Sequence, residues 1–398
     1  MNTLDFYFGH FLHICVDLNE PKDNRGLTYP SGIVMFSMML CTCAGREGQR
    51  SKARWLEYKW SWIYSLWTAA NGRVMTKKVK SISQSTISRF KSPCVLEDFI
   101  AQMNQFHKQQ FLSDFEDLVK ITFEKDIDRG NVPLPHYCVD GKSREGCLSE
   151  TTGRTEVDVT VYNPETSTPI ILLPLEDKQG ERSGVSEIIE NEMDDLPEGL
   201  FTADAGITGV MMVKNMADHG HDYLLQIKGN AGHAFEEVKE IPWEKVKDME
   251  RFEKSDNGRK EVKILQRFDI EFVDCPDKID QYHDITNIFR LESWVKRKSK
   301  ISHSFRYFIG SSGISGKPLS YIYNTIRQHW KIETYHWRKD TILREDDCLE
   351  KDSIKSRTLS RINSFVDYVG NAVFGSTKEF VDRFSSAPEQ LAFSGNFL

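Results

Sequence analysis

The chain has 398 residues, with 52 Lys and Arg against 59 Asp and Glu, a formal net charge of -7, and 39% hydrophobic residues. This composition excludes wholesale disorder and fibrous repeats, and the length predicts two or three domains. The most apolar stretch, Ile33–Ala44, is too short for a membrane span, which needs about 20 residues. The first residues hold no basic segment of the kind that opens a secretory signal. Eight cysteines without a C-x-x-C pair indicate reduced thiols in a cytoplasm and argue against a zinc ribbon.

Charge is distributed unevenly along the chain. Residues 51–91 hold nine basic residues and one acid, and residues 285–344 hold twelve basic residues and three acids. Residues 174–200 hold nine acids and two bases. Each basic segment could neutralise phosphates, although each could also be ordinary solvated surface.

Residues 1–125 are predicted to form a helical domain. Apolar residues recur at helical spacing in Ser31–Cys43, Lys52–Thr68 and Leu96–Phe123. Ser83–Phe90 begins with small polar residues, which is typical both of a helix that enters a major groove and of an N-capped helix that docks on its neighbours. The pattern alone does not decide between the two.

From residue 133 to residue 230 the pattern predicts three strands in sequence, followed by helix, strand, helix and strand. This order is typical of a ribonuclease H-like fold. The predicted strands are Tyr137–Asp140, Glu156–Tyr162, Pro169–Leu175, Leu200–Ala203 and Tyr223–Ile227, and the predicted helices are Gly184–Asp195 and Thr208–His219.

The rest of the chain divides into three predicted segments. Residues 231–312 read as a β-rich insertion, with strands at Val262–Phe272, Ile288–Val295 and Phe305–Ile309. Residues 313–385 are predicted to complete the core with helices at Leu319–Lys339 and Ser353–Phe384, and residues 386–398 form a flexible tail. The predicted class is therefore α/β (α+β overall), a mixed sheet flanked by helices.

Three acids stand out by their positions. Asp140 and Asp204 end predicted strands, and Glu333 lies in a helix that follows the insertion. Strand ends of an α/β sheet converge on one edge, so both aspartates are expected in one pocket that Glu333 completes. Three carboxylates suit Mg²⁺ or Mn²⁺, and two such ions would support phosphoryl transfer.

The stretch from Arg327 to Asp340 strengthens this interpretation. At 3.6 residues per turn, one face of the predicted helix carries His329, Trp330, Glu333, His336, Trp337 and Asp340. The two tryptophans favour core positions over base stacking. A zinc site of His329 and His336 beside Glu333 is a weaker hypothesis.

The motifs together resemble a known family, the DDE transposases of the H-repeat-associated insertion-sequence group. The string His329 to Trp337 followed by Glu345-Asp346-Asp347 is similar to that family's C-terminal signature. Similar motifs surround the two aspartates, namely Tyr137-Cys138-Val139-Asp140-Gly141-Lys142, Thr202-Ala203-Asp204-Ala205, Asp222–Asn230, Gly258-Arg259 with Glu261, and Lys22–Pro30. The resemblance runs from about residue 15 to about residue 375.

The resemblance implies a DNA transposase with a ribonuclease H-like core and two metal ions, Mg²⁺ or Mn²⁺. Asp140 would bridge the ions, and Asp204 and Glu333 would each hold one. Candidates for contacting DNA are Lys142, Lys228, Arg327, His329, Lys331, Arg89, Lys77 and Lys78. The partners would be double-stranded DNA at element ends and targets, with a homodimer or higher oligomer formed on DNA, no membrane, and a cytoplasmic, nucleoid-associated location.

The chain also departs from the family's pattern. Glu145 stands where the family carries Arg, and of its Lys-Ser-Asn-Glu helix start only Glu187 is retained. These departures leave open a domesticated DNA-binding protein with reduced catalysis. The sequence is also compatible with a metal-dependent nuclease on the same core and with a protein-interaction scaffold.

Overall fold

The computed structural model describes residues 3–19, 29–70, 72–74, 80–90, 92–125, 134–149, 151–177, 180–256, 258–270, 278–298, 300–347 and 350–392. Within these residues the helices are α1 Thr3–Asp17, α2 Ser31–Cys43, α3 Gln49–Ala69, α4 Gln84–Arg89, α5 Pro93–Lys125, α6 Glu181–Glu192, α7 Val210–Asp218, α8 His233–Glu240, α9 Leu319–Thr341, α10 Ser353–Phe374, α11 Thr377–Ser386 and α12 Pro388–Leu391. The strands are β1 His136–Leu148, β2 Thr155–Asn163, β3 Thr168–Leu175, β4 Leu200–Ala203, β5 Asp222–Ile227, β6 Met249–Asp256, β7 Arg259–Asp269, β8 Ile285–Arg297 and β9 Lys300–Ser311.

The first five strands form the predicted ribonuclease H-like sheet. Their order is β3-β2-β1-β4-β5, with β1 antiparallel to β2 and parallel to β4, and β4 parallel to β5. β2 is antiparallel to β3. β4 is buried along its whole length because helices cover both faces of the sheet. The predicted fold class is confirmed.

The strands of the predicted β-rich insertion extend this sheet. β9 pairs antiparallel with β5, from Tyr307 opposite Ile227 to Gly310 opposite Leu224. β8, β7 and β6 follow in turn, so one sheet of nine strands runs from β3 to β6. The sequence patterns predicted β7, β8 and β9 but not β6, whose residues are almost all exposed and carry no apolar alternation.

The two faces of the sheet have separate cores. α6 and α7 pack against one face, with Val185, Ile188 and Met212 in a cluster that also holds Phe201 and Leu225. α9 crosses the other face, where its apolar side chains meet Leu224, Phe308 and Cys138. Residues two apart on a strand share a face, so Cys138 and Asp140 lie on the α9 side.

The N-terminal helices share a core with the C-terminal ones. Phe8, Phe11 and Phe36 cluster with Phe365 and Phe380, which places α1 and α2 against α10 and α11. The segment Ser353–Phe384, predicted as one helix, is two helices, and this prediction was wrong. α10 ends at Gly375, whose φ of 66° is the left-handed conformation that closes helices.

Other features agree with the sequence or lie outside the described part. Ser83 caps α4 by accepting a hydrogen bond from the Thr86 N–H at 3.2 Å. The six cysteines within the described ranges are free. Lys77, Lys78, most of Lys22–Pro30, and Cys275 and Cys348 lie outside the described residues. No helix in the described ranges combines the length and apolar content that crossing a membrane requires.

Candidate functional site

Two aspartates lie at one edge of the sheet. Asp140 follows Val139, which pairs with Ala203 of the parallel strand β4, and Asp204 follows Ala203 directly. Since β1 and β4 are parallel neighbours and their pairing ends at Val139 and Ala203, both aspartates lie at the carboxyl edge of β4, where α/β sheets bind ligands. β1 itself continues along β2 to Leu148, so the prediction that Asp140 ends its strand was wrong.

α9 brings Glu333 to this edge. Near its C-terminal end Tyr335 stacks on Tyr162 of β2 with ring centroids 5.3 Å apart. Near its N-terminal end Tyr323 stacks on Phe252 of β6 at 3.8 Å. The helix thus crosses the sheet from β6 to β2, and Glu333 lies along the span between these two contacts.

Asp204 and Glu333 open into one cavity of about 430 Å³. Its walls include Lys228 after β5, Arg306 of β9 and Trp330 of α9. The cavity is therefore lined by both acids and cations, together with the exposed ring of Trp330. Such a wall can hold a cation against the acids and an anionic group against the bases.

Asp140 is oriented by two contacts. Its Oδ1 accepts a hydrogen bond from the Gly141 N–H at 2.9 Å, and its Oδ2 lies 3.4 Å from His336 Nδ1. Burial acts to raise the pKa of Asp140, but the hydrogen bond and charge of His336, together with His329 and the Gly141 N–H, hold the pKa below its ordinary value. The carboxylate is therefore ionised at neutral pH and available as a ligand.

Glu333 shows the opposite shift. Loss of solvent raises the pKa of Glu333, and the negative charges of Asp140 and Asp204 raise it further, against the opposing effect of Arg306 and Lys228. The three carboxylates are therefore close enough to repel one another. A cation held among them would relieve that repulsion.

Asp204 is held by its own neighbours. Its Oδ1 accepts the Ala205 N–H at 2.7 Å and lies 3.1 Å from Lys228 Nζ. Three carboxylates are hard oxygen donors of the kind that Mg²⁺ and Mn²⁺ prefer. In the described ranges, however, no group of three or more His, Cys, Asp or Glu side chains is arranged closely enough to hold a metal ion. The oxygen donors fit a divalent ion. The side chains, however, are turned toward protein partners: Asp204 contacts Lys228, and Asp140 contacts His336.

The predicted DNA contacts fall at several places. Lys228 lies at the cavity, and Arg327 is exposed on α9 with its guanidinium 5.7 Å from the Tyr323 ring. Lys331 is exposed, and its ammonium donates to the Pro164 carbonyl at 2.7 Å. Arg89 is exposed at the last turn of α4 and is not among the residues that line the cavity.

The side chain of His329 lines the cavity. Its Nδ1 lies 2.9 Å from the Thr202 hydroxyl. Burial lowers the pKa of His329, although Asp140 and Asp204 oppose that shift. These contacts place His329 beside the acids without making it a metal ligand, so the structure gives no support to a zinc site of His329, His336 and Glu333.

Lys142 lies away from the opening. Its side chain is 8% exposed, and its Nζ lies 2.7 Å from Asp340 Oδ1 and 2.9 Å from Asp346 Oδ1. Burial opposes the charge, but Glu345, Asp340 and Asp346 raise the pKa of Lys142 overall. Its role as a DNA contact stays a prediction, one that this burial and pairing disfavour.

The preference for core positions of two tryptophans was wrong. Trp330 and Trp337 are 42% and 55% exposed. The buried stripe of α9 instead contains Ile322, Ile326, Ile332, Tyr335 and Lys339, so it lies to one side of the predicted face.

Sequence reasoning also missed Arg306, whose guanidinium lies 4.7 Å from the Trp330 ring centroid. A basic residue in the alternating strand just before α9 was the available signal.

Glu145, which stands where the family carries Arg, lies on the surface beside a buried arginine. Glu145 is exposed, whereas its neighbour Arg144 is buried and forms ion pairs with Glu156 and Asp158 of β2. Asp158 also pairs with Arg361 of α10 at 3.4 Å. Asp158 therefore ties the sheet to α10, and Arg144, buried beside it, is not a surface replacement for the family's Arg.

Comparison with known proteins supports the resemblance. The chain matches no protein-family model. It is 24% identical over 271 residues to the Escherichia coli K12 protein YbfL, covering 65% of this chain and 69% of that protein. It is 22% identical over 272 residues to the K12 protein named "H repeat-associated putative transposase YhhI", with the same coverage of each chain. It is 27% identical over 217 residues to the transposase-named YncI of Escherichia coli O157:H7, covering 52% of this chain and 54% of that one.

Among solved structures, a piggyBac transposase synaptic complex with hairpin DNA aligns over 97% of this chain and 77% of its own. Its identity is 10% and its TM-score 0.43, so the fold assignment depends on the strand order and not on this alignment. The sequence matches confirm the resemblance: the chain is similar, at 22% and 27% identity, to proteins named as an H-repeat-associated putative transposase and a putative transposase.

Proposed function

We propose that the protein is a DDE-type DNA transposase that cleaves the ends of a DNA element and joins the freed 3′-hydroxyl to target DNA. One observation carries the proposal. Asp140, Asp204 and Glu333 come from β1, β4 and α9 to one edge of a ribonuclease H-like sheet, and their charges act on one another there.

In this proposal Asp140, Asp204 and Glu333 would hold divalent ions, Mg²⁺ or Mn²⁺. The ions, when bound, activate the attacking oxygen and stabilise the leaving oxygen of the phosphodiester. The contacts of Asp140 with Gly141 and His336 orient its two oxygens before any ion arrives.

The cations at the cavity have a different task. Lys228 now pairs with Asp204, and both side chains are about half exposed, so the pair is weak and can be exchanged. When a cation takes the Asp204 carboxylate, the Lys228 ammonium is free to bind a DNA phosphate. Arg306, which lines the same cavity, is placed to bind a second phosphate.

The test uses the DNA that flanks the protein's own gene. Purified protein would be incubated with that DNA and Mg²⁺ or Mn²⁺, and strand breaks and joined products would be mapped to the nucleotide beside an Asp204→Asn control. Metal-dependent breaks at repeated end sequences and joined strands, both absent in the control, are expected. Breaks without joining would indicate a nuclease.

A second candidate is a DNA-binding protein that has lost catalysis. It is favoured by the acids being paired with Lys228 and His336 instead of being gathered as one metal-binding group within the described residues. Tight binding to the flanking DNA, with no breaks at any metal concentration, would select it.

A further inference from the structure

The outer strands project past the edge that carries the acids. β9 pairs with β5 only from Tyr307 onward, and Tyr307 lies opposite Ile227, the last residue of β5. Residues 300–306 therefore extend beyond the carboxyl end of β5, together with their partners in β8 and β7. Because β5 is parallel to β4, this extension stands beside Asp204.

The strand register shows which side chains of the extension lie on the α9 face of the sheet. Phe308 packs with α9 residues, so the side chains of Arg306, Ser304, Ser302 and Lys300 lie on that same face. Arg306 confirms this assignment because its guanidinium lies over the Trp330 ring of α9. The α9 face is also the face of Asp140.

Two basic side chains are direct cross-strand neighbours on this face. Arg297 lies directly opposite Lys300 across β8 and β9, and both side chains are exposed. Within the described part of the chain neither has an ion-pair partner. Like charges directly opposite one another weaken a sheet, and a second such pair, Lys260 and Lys296, lies on the opposite face. What distinguishes Arg297 and Lys300 is that they lie on the face that carries the acids.

The neighbouring strands are more balanced. Arg259 lies opposite Arg297 on the same face, but it pairs with Glu261 and lies opposite Asp256. Glu261 also lies 3.6 Å from Lys263 Nζ. The excess positive charge is therefore concentrated on β8 and β9, the strands nearest the acids.

We propose that this face, defined by Arg297, Lys300 and Arg306, is a surface that binds the backbone of duplex DNA leading away from the catalytic edge. The inference rests on the proposed function and names where its DNA lies. Lys300 and Arg306 are about six residue steps apart, a span of about 20 Å at roughly 3.3 Å per residue. At about 3.4 Å per base pair, the surface follows roughly six base pairs beyond the cavity.

The chain offers a matched control on the opposite face. Lys260 and Lys296 lie directly opposite each other across β7 and β8, next in sequence to Arg259 and Arg297. Both are exposed and have no ion-pair partner in the described residues. The double variants R297Q/K300Q and K260Q/K296Q each remove two charges and one like-charge pair, but from different faces.

The experiment measures binding of a fluorescein-labelled 40-base-pair duplex of mixed sequence in Ca²⁺, from 50 to 200 mM NaCl. Each lost phosphate contact lowers the slope of log affinity against log salt by about 0.9. R297Q/K300Q should reduce the steepness of this salt dependence by about 1.8. Between 50 and 200 mM NaCl the wild type should then lose roughly twelve-fold more affinity than this variant. K260Q/K296Q should retain the wild-type slope.

Thermal unfolding of both variants checks that they fold, and neither midpoint should fall because each change relieves repulsion. Equal slopes for the wild type and R297Q/K300Q would overturn the inference, as would an equal loss in the two variants, while the proposed function would stand. Failure of the wild type to bind the duplex at 50 mM NaCl would instead remove the proposed function.

Discussion

Replacing Lys142 separates a structural role from a DNA contact. Lys142 is buried between Asp340 and Asp346, so Lys142→Met leaves the two aspartates without their shared counter-ion, while the nearby Glu345 keeps Lys339 at 3.1 Å. Removing one partner of a fully buried pair costs about 3–5 kcal/mol. The two aspartates are 33% and 29% exposed, and water will screen part of that loss. We therefore expect the free energy of unfolding to fall by about 2–3 kcal/mol.

The assay is urea unfolding together with the salt dependence of DNA binding. Lys331→Met is the matched control, since Lys331 is exposed and is expected to change stability by less than about 1 kcal/mol. Adding Asp340→Asn to Lys142→Met should restore about 1 kcal/mol or more, because it removes one uncompensated charge. Lys142→Met should leave the salt slope of binding unchanged.

The opposite pattern would refute this reasoning. If Lys142→Met unfolds like the wild type and lowers the salt slope by about 1, then Lys142 binds a phosphate and the acids do not need it.

Two further predictions concern stability. His107 is fully buried, and burial, with Arg361 and Lys339, lowers its pKa to about 3, so only the unfolded chain takes up this proton between pH 6.5 and pH 3. Above pH 6.5 His107 therefore leaves the free energy of unfolding unchanged, and below pH 6.5 it lowers that free energy by up to about 1.4 kcal/mol per pH unit. His107→Phe should make the free energy of unfolding, measured in urea, less dependent on pH. An unchanged pH dependence would contradict a buried, neutral His107. A Cβ on Gly32 would lie 1.8 Å from the Cys15 carbonyl oxygen, so Gly32→Ala should lower the unfolding free energy by about 1–3 kcal/mol or more. A Cβ on Gly206 would have no neighbour within 4 Å, so Gly206→Ala should leave the unfolding free energy unchanged. Equal urea midpoints for the two variants would show that α1 and α2 can separate without cost.

The core sheet was predictable because its signals are local. β4 matches its predicted bounds, Leu200–Ala203, since a short apolar run ended by Asp204 reads clearly as a buried strand. The order of strands and helices along the chain then restricts the sheet to few topologies. The convergence of Asp140 and Asp204 follows from that order alone.

The rest depended on contacts between distant residues. The buried face of α9 was predicted incorrectly because it includes Tyr335 and Lys339, whose polar ends hide their apolar parts in the sequence pattern. Trp330 is 42% exposed at the cavity, and its partner Arg306 belongs to another element, β9. Lys142 resembled a surface cation because its partners, Asp340 in the last turn of α9 and Asp346 just after it, lie about 200 residues later in the chain. α1 carries apolar residues on nearly every side, which hides its helical period.

The most direct test of the account is the rate of strand cleavage at a mapped element end by Asp140→Asn, Asp204→Asn and Glu333→Gln, each beside the wild type in Mg²⁺ and in Mn²⁺. Binding of the same DNA would be measured in Ca²⁺ so that loss of cleavage is not loss of binding. The account predicts that all three variants bind like the wild type and that cleavage falls below detection in each. Wild-type cleavage by any one of the three would contradict it by removing that residue from the catalytic group.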